Sequence, residues 1–292
     1  GTGTFSSSPS GLSISSSTGE IDLSASTAGD YDITFTPTID YSQMGVNIDG
    51  EGSSDYFGYA VDINAAGNRM VVGAPRDDAV SSNSGHVRVY EWNDSAWVQL
   101  GADMDGEGNS HYFGFSVAMN DAGDRIIAGA YFANNQRGYA KIYEWDGSSW
   151  NQLGAKLEGA SNSDQFGFSV AMSNSGNRVA VGARYDDNAV PNYSNCGSVS
   201  MYDWNGSSWS QVGSQINGPA SSYYFGSSIA LNGVGDRLII GSYNSRRAYC
   251  YSFNGSSWSQ MGSYLSGSTW FGWSVDMNDA GDVIAVSEPY YF

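Results

Sequence analysis

Three sets of side chains in this sequence could do chemistry. The first is "GFSVA", which places Ser116 and Ser169 behind a glycine, close to the G-x-S-x-G elbow that exposes a nucleophilic serine on a strand-to-helix turn. Its last glycine is alanine, however, and the serine recurs at Ser228 and Ser274 in runs that read as strand. A general base would have to be His86 or His111, the two histidines of the chain, and their spacing is not that of a metal site. An enzyme is not expected. The second set comprises the acidic pairs Asp77/Asp78 and Asp186/Asp187, which are weak candidates for calcium because short acidic loops are commonly only solvated. The third set is aromatic: Tyr56, Tyr112, Tyr131, Phe132, Tyr185, Tyr224, Tyr243 and Trp270 stand in polar segments beside Asp, Asn and Arg, among them Arg76 and Asp77. Rings with one apolar face and one polar edge, mixed with charge, suit a glycan or a protein surface, although such rings can also merely cap sheet ends.

The elements that must position these groups are written five times. FG recurs at Phe57, Phe113, Phe166, Phe225 and Phe271, a period of about fifty residues and near that of propeller blades. Four strand-like segments fill each period. The FG segment (A) is followed by a continuous apolar run such as "RIIAGA" from Arg125 (B), which suits a strand covered on both faces. An alternating segment such as "AKIYEW" from Ala140 (C) leads to "WNQLG" from Trp150 (D). The A–B turns carry Gly67, Gly123, Gly176, Gly235 and Gly281, where a tight hairpin demands positive φ. At the C–D hairpins Trp92/Trp97, Trp145/Trp150, Trp204/Trp209 and Phe253/Trp258 can meet across the strands, contributing roughly 0.5–1.5 kcal/mol each beyond burial. The pattern predicts an all-β β-propeller of four-stranded antiparallel blades, with the D–A and B–C loops on one face.

Segment 41–48 repeats the D pattern ahead of the first A strand, and the fifth repeat lacks its C strand. This is expected either of an incomplete five-bladed ring or of a longer parent, the second being favoured because both ends read as cut. Domains are accordingly placed at 1–40 and 41–292.

The repeated "FGYAVDINAAGNRMVVGAP" resembles the FG-GAP repeat of integrin α-subunit propellers and bacterial surface proteins. That resemblance covers about residues 41–292 and implies seven blades and an extracellular, cell-surface role in adhesion. Residues 1–40, with "GLSI", "STGEI" and "AGDYDITF", resemble the C-terminal part of an immunoglobulin- or cadherin-like adhesin module, as a β-sandwich fragment. Integrin-type blades hold calcium in the A–B turn through D-x-D-x-D-G. Here the best copies, Asp62-Asn64-Ala66-Gly67 and Asp276-Asn278-Ala280-Gly281, put alanine at the third ligand, and Ala118, Ala171 and Ala230 replace the first elsewhere. Calcium is therefore possible but not expected, and no other cofactor is.

Composition narrows the partners. Of 292 residues, 12 are Lys or Arg against 30 Asp or Glu, a formal net charge of −18, which excludes nucleic acid and disfavours anionic membranes. No apolar run is long enough to span a bilayer. Cys196 and Cys250 are the two cysteines; the repeat puts Cys250 where Val89, Ile142 and Met201 stand, as a core filler before a disulfide partner. Sequons at Asn93, Asn192, Asn205 and Asn254 are glycosylation candidates, three of them in C–D hairpins that already account for the asparagine. The leading expectation is a non-enzymatic extracellular propeller that binds glycan or protein through its D–A and B–C loops. The alternative is a building block of an extracellular filament or viral fibre, contacting copies of itself.

Overall fold

The computed structural model describes residues 3–37, 42–187 and 194–289. Its contacts divide the chain into two compact units, 1–46 and 47–292. The first unit contains one antiparallel pair, β1 (Gly3–Ser8) with β2 (Asp32–Pro37). Ile14 and Ile21 form an isolated bridge between them in sequence, so "GLSI" and "STGEI" touch without making strands. Phe5 and Phe35 pack at 4.7 Å on this small sheet. The likeness of this unit to an immunoglobulin or cadherin module rests on sequence alone.

The second unit repeats one sheet. Blade 1 contains β3 (Ala60–Ile63), β4 (Arg69–Ala74), β5 (His86–Trp92), β6 (Trp97–Gln99) and β7 (Met104–Asp105). Blade 2 contains β8 (Ser116–Met119), β9 (Arg125–Ala130), β10 (Tyr139–Trp145), β11 (Trp150–Gln152) and β12 (Leu157–Glu158). Blade 3 contains β13 (Phe166–Met172), β14 (Arg178–Ala183), β15 (Ser198–Trp204), β16 (Trp209–Gln211) and β17 (Ile216–Asn217). Blade 4 contains β18 (Ser228–Leu231), β19 (Arg237–Ser242), β20 (Arg247–Phe253), β21 (Trp258–Gln260) and β22 (Leu265–Ser266). A fifth sheet has two strands, β23 (Val275–Met277) and β24 (Ile284–Val286).

The A–B–C–D order holds in all four full blades. The D strand is broken, a detail the sequence did not announce: β6 pairs with one half of β5 and β7 with the other. Between them the chain turns at Gly101, φ 80°, where an added Cβ would come within 2.8 Å of Trp145 in the next blade. Over its described part, 42–48, the D strand expected ahead of the first repeat is irregular, and Tyr41 lies outside the described residues. A D strand needs a C strand to pair with, and the fifth sheet has none among the described residues.

The core lies between blades. Val71, Val87 and Val89 pack on Met119, Ile126, Ala128, Tyr139 and Tyr143 of the next sheet, and equivalent clusters join each later pair of neighbours. Ile127 and Val181 are fully buried, each worth roughly 1.5–3 kcal/mol relative to exposure. Cover comes only from neighbours: Ile229 in blade 4 is 8% exposed, whereas its counterpart Val61, on the outer side of blade 1, is 64% exposed.

The FG dipeptide has a geometric explanation. In each repeat the residue before Phe accepts a backbone hydrogen bond from the residue after Gly, as in Phe115 N–H to Tyr112 O at 3.1 Å. The glycine is third in this turn at φ 82–85°, a conformation that favours glycine. Its carbonyl then meets the preceding blade: a Cβ added at Gly73, Gly129, Gly182 or Gly241 would lie 2.0–2.3 Å from it. The glycine of "VVGA" and "IAGA" is therefore required because two backbones touch there. Ser116, Ser169 and Ser228 donate hydroxyl hydrogen bonds to the same carbonyls, those of Gly167, Gly226 and Gly272, at 3.0, 2.7 and 3.2 Å.

The A–B turns link blade to blade as well. Backbone N–H groups of Ala65, Asp121, Asn174 and Gly233 donate in succession to Asp121, Asn174, Gly233 and Asp279. Arg69, Arg125, Arg178 and Arg237 each reach the turn-glycine carbonyl of the following blade.

Candidate functional site

Strand direction carries the D–A and B–C connections to the same end of the second unit. There the residue after each FG glycine points at the axis: Tyr59, Phe115, Phe168, Ser227 and Trp273, one from every repeat, line a single cavity of about 170 Å³ with Arg184 and Tyr243. Units stacked in a line could not bring the first and fifth copies into one cavity, so the repeats are arranged about a common axis. A second cavity of about 210 Å³ adjoins it, sharing Tyr59 and Phe115 and adding Tyr56, Pro75, Arg76, Tyr112 and Tyr131.

The rings form a continuous cap around this mouth. Tyr59 packs on Phe115 at 4.9 Å, Phe115 on Phe168 at 5.0 Å and on Tyr131 at 4.4 Å. Tyr131 stacks on Tyr112, and both meet Phe132 edge-on. On the far side Tyr185 meets Tyr224 at 4.9 Å, Tyr224 meets Tyr243 at 5.7 Å, and Tyr243 stacks on Trp270 and touches Trp273. The Arg184 guanidinium joins the halves, 3.7 Å from the Phe168 ring centre and 4.6 Å from that of Tyr185. Arg76 lies over Tyr56 at 4.3 Å. Such contacts are worth roughly 0.5–1 kcal/mol at exposed sites and more where desolvated.

Backbone strain accompanies the cap. Tyr56, Tyr112, Tyr224 and Trp270, at one repeat position, have φ of 58°, 54°, 54° and 68°. Bulky residues rarely occupy this region, at a cost of about 1–3 kcal/mol each, yet four of five repeats keep a large ring there. Burial raises the phenol pKa values of Tyr59, Tyr131 and Tyr243 above the usual tyrosine range, with Arg184 acting against the shift. All three therefore stay neutral hydroxyls at physiological pH.

Of the residues singled out in the sequence, Tyr56, Arg76, Tyr112, Tyr131, Phe132, Tyr185, Tyr224, Tyr243 and Trp270 all join this cap. Asp77 does not. It is buried at 4% exposure, faces His86 Nδ1 at 3.2 Å and accepts the Ala79 N–H, so it holds its own loop. Asp78 accepts the Asn83 N–H. Asp186 is likewise buried, accepting from Ser198 and Gln215, while Asp187 is exposed. Among the described residues no three His, Cys, Asp or Glu side chains are grouped to hold a metal. In the A–B turns Asn64, Asn120, Asn232 and Asn278 spend Oδ1 on the N–H five residues ahead, at 2.8–3.0 Å. These bonds account for the asparagines as turn residues.

The hydroxyls of Ser116 and Ser169 are committed to carbonyls of the following blade, and His111 lies 3.4 Å from the Tyr139 hydroxyl. The paired rings at the C–D hairpins meet as expected, at 5.2–5.6 Å. Asn93, Asn205 and Asn254 each accept two backbone N–H bonds in those hairpins, and Asn192 lies outside the described residues. Cys196 and Cys250 are free thiols, Cys196 buried with Sγ directed at the Asp186 carbonyl. Sequence reasoning missed Tyr59, Phe115, Phe168, Trp273 and Arg184. A signal existed, since the residue after FG is aromatic in four of five copies.

With this geometry in hand, the class is a propeller-like array of antiparallel blades. Residues 48–90 and 156–202 match the model of the FG-GAP repeat. Such repeats are typical of extracellular adhesion and recognition domains and are generally not enzymatic. A functionally unknown protein from Desulfotomaculum acetoxidans is similar in fold, with a TM-score of 0.58 at 10% identity over 87% of this chain and 68% of that one. Hydrazine synthase from Kuenenia stuttgartiensis gives 0.52 at 10% identity, over 78% and 70%. No curated protein matches in sequence. Among the described residues no helix is long and apolar enough to cross a membrane.

Proposed function

We propose that this protein is a non-enzymatic, extracellular recognition propeller whose ligand seats on the aromatic mouth, and that the ligand is a glycan. One observation carries this reading: rings from all five repeats converge on one axial cavity, exposed rather than sealed, with Tyr59 at 52% and Trp273 at 44% exposure. A core cluster would be covered. Exposed ring faces beside phenol and guanidinium groups are what a sugar ring needs, since its C–H face stacks while its hydroxyls find polar partners.

Glycan-array binding of the whole chain tests the reading, with Tyr59→Ala and Trp273→Ala as variants that thin the cap without touching the blade core. Loss of binding in both is expected. Binding that is absent from the intact chain, or unaffected in both variants, would remove the mouth from consideration.

A second reading, a building block of an extracellular filament or viral fibre, is favoured by the uncovered side of blade 1, where Val61 and Ile63 are 64% and 53% exposed. Concentration-dependent self-association, abolished by Val61→Lys, is its test.

A further inference from the structure

We infer that the mouth selects glycans ending in one anionic sugar, a refinement that rests on the glycan reading above. The basis is the pair of guanidinium groups. Arg76 and Arg184 enter the cavities from different blades and make no ion pair among the described residues. Both act on the phenols of Tyr59 and Tyr131, so their fields overlap at the mouth. Several other cations are tied up structurally: Arg69 and Arg125 pair with Glu91 and Glu144, Arg88 with Asp103, Lys141 and Lys156 with Glu107.

Arg184 is also built into place. Its Nε donates to Gln165 Oε1 at 2.7 Å while the guanidinium plane lies on Phe168. One edge is thereby fixed, a further hydrogen bond reaches the Tyr243 hydroxyl, and the held guanidinium presents its remaining N–H and its charge to a carboxylate or sulfate. Gln165 stands at the repeat position that is aromatic in the other four copies, with φ 58°. The single departure from the aromatic pattern is thus the residue that orients the arginine.

The net charge decides how many anionic groups the ligand carries. A chain at −18 repels a polyanion along its length, whereas a lone charge at the mouth meets chiefly the nearest guanidinium, because fields fade over roughly 8 Å in physiological salt. The two small cavities have room for about one ring each, which fits a terminal anionic sugar and its neutral neighbour.

The test is calorimetric titration of the whole chain with lactose, with lactose bearing one terminal sialic acid, with lactose bearing one sulfate ester, with a polygalacturonate hexasaccharide and with an acidic peptide. The singly charged sugars are expected to bind at least tenfold more tightly than lactose, with affinity falling as salt rises. Arg184→Gln should erase that preference, and Arg184→Lys should restore only part of it. The carboxylate and sulfate arms separate the two anion sources. Equal binding of lactose and its charged forms overturns the inference and leaves the glycan reading intact. Tighter binding of the hexasaccharide overturns the single-charge argument, and binding of the peptide alone overturns both. A near-UV circular dichroism spectrum unchanged in Arg184→Gln shows that the variant folds.

Discussion

Replacing Gly129 by alanine adds one methyl group at a point where the structure leaves no room for it. The new Cβ would lie 2.1 Å from the Gly167 carbonyl oxygen and 2.5 Å from the Ser116 hydroxyl. Ordinary contact begins more than 1 Å further out, and the obstacle is backbone, so blades 2 and 3 must part. Overpacking of this kind costs about 1–3 kcal/mol. The Ser116–Gly167 hydrogen bond, 3.0 Å long, is lost with it, for about 0.5–1.5 kcal/mol more. Opposing these is the unfolded chain: Gly129 does not have the positive φ of a turn glycine, so alanine there should stabilise by about 0.4–1 kcal/mol. The contact terms win, leaving a net loss of about 2 kcal/mol and a Tm lower by roughly 4–8 °C for a domain of this size. Because Phe115 and Phe168 sit on the two parting blades, 5.0 Å apart, ligand binding at the mouth should weaken as well. Differential scanning fluorimetry and urea melts of Gly129→Ala beside Gly182→Ala measure the effect. An unchanged or raised Tm would refute the touching-backbone account of the repeat glycines.

Ser169→Ala leaves the Gly226 carbonyl without the hydroxyl that bonds it at 2.7 Å and should destabilise by about 1–3 kcal/mol in a urea melt, with sugar affinity unchanged. Trp209→Phe removes the indole bond to the Leu153 carbonyl of the preceding blade and should cost about 1 kcal/mol; an unaltered melting curve would contradict that bond's role. Hydrogen bonds from Arg88 hold the Asp103 carboxyl below the usual carboxylate range. A depressed folded value means stability that is present above the unfolded pKa and lost as pH falls through the folded one. Arg88→Gln should therefore lower stability at neutral pH and flatten its decline as pH falls below the ordinary carboxylate range. Asp105, raised chiefly by burial and held down in part by Arg88, is pushed further up in the variant, which lowers stability at neutral pH and flattens the acid decline in the same sense. Millimolar calcium should leave the melting temperature where it is, because the turn asparagines already spend their oxygens on backbone N–H groups; a rise of several degrees, reversed by chelator, would show cation binding.

What the sequence determined by itself was everything set by local chemistry and repetition. Apolar runs such as "RIIAGA" form central strands, turn glycines such as Gly123 supply positive φ, and paired tryptophans such as Trp145 and Trp150 oppose each other across hairpins. These follow from period and from the conformational freedom of single residues, so one copy teaches the next. The loop rings were legible as candidates for the same reason, being large apolar groups stranded in polar segments.

Only the tertiary structure decided which of them meet. Tyr59 and Trp273 are far apart in sequence and share a cavity because the blades circle one axis. Arg184 belongs to the mouth and Asp77 does not, although each follows the same kind of B strand, because a side chain's direction at a loop depends on what the neighbouring blade offers: rings in one case, a buried imidazole in the other. Contacts between blades join residues about fifty positions apart, and no local propensity carries that information. The affinity and selectivity of the mouth are written at that range.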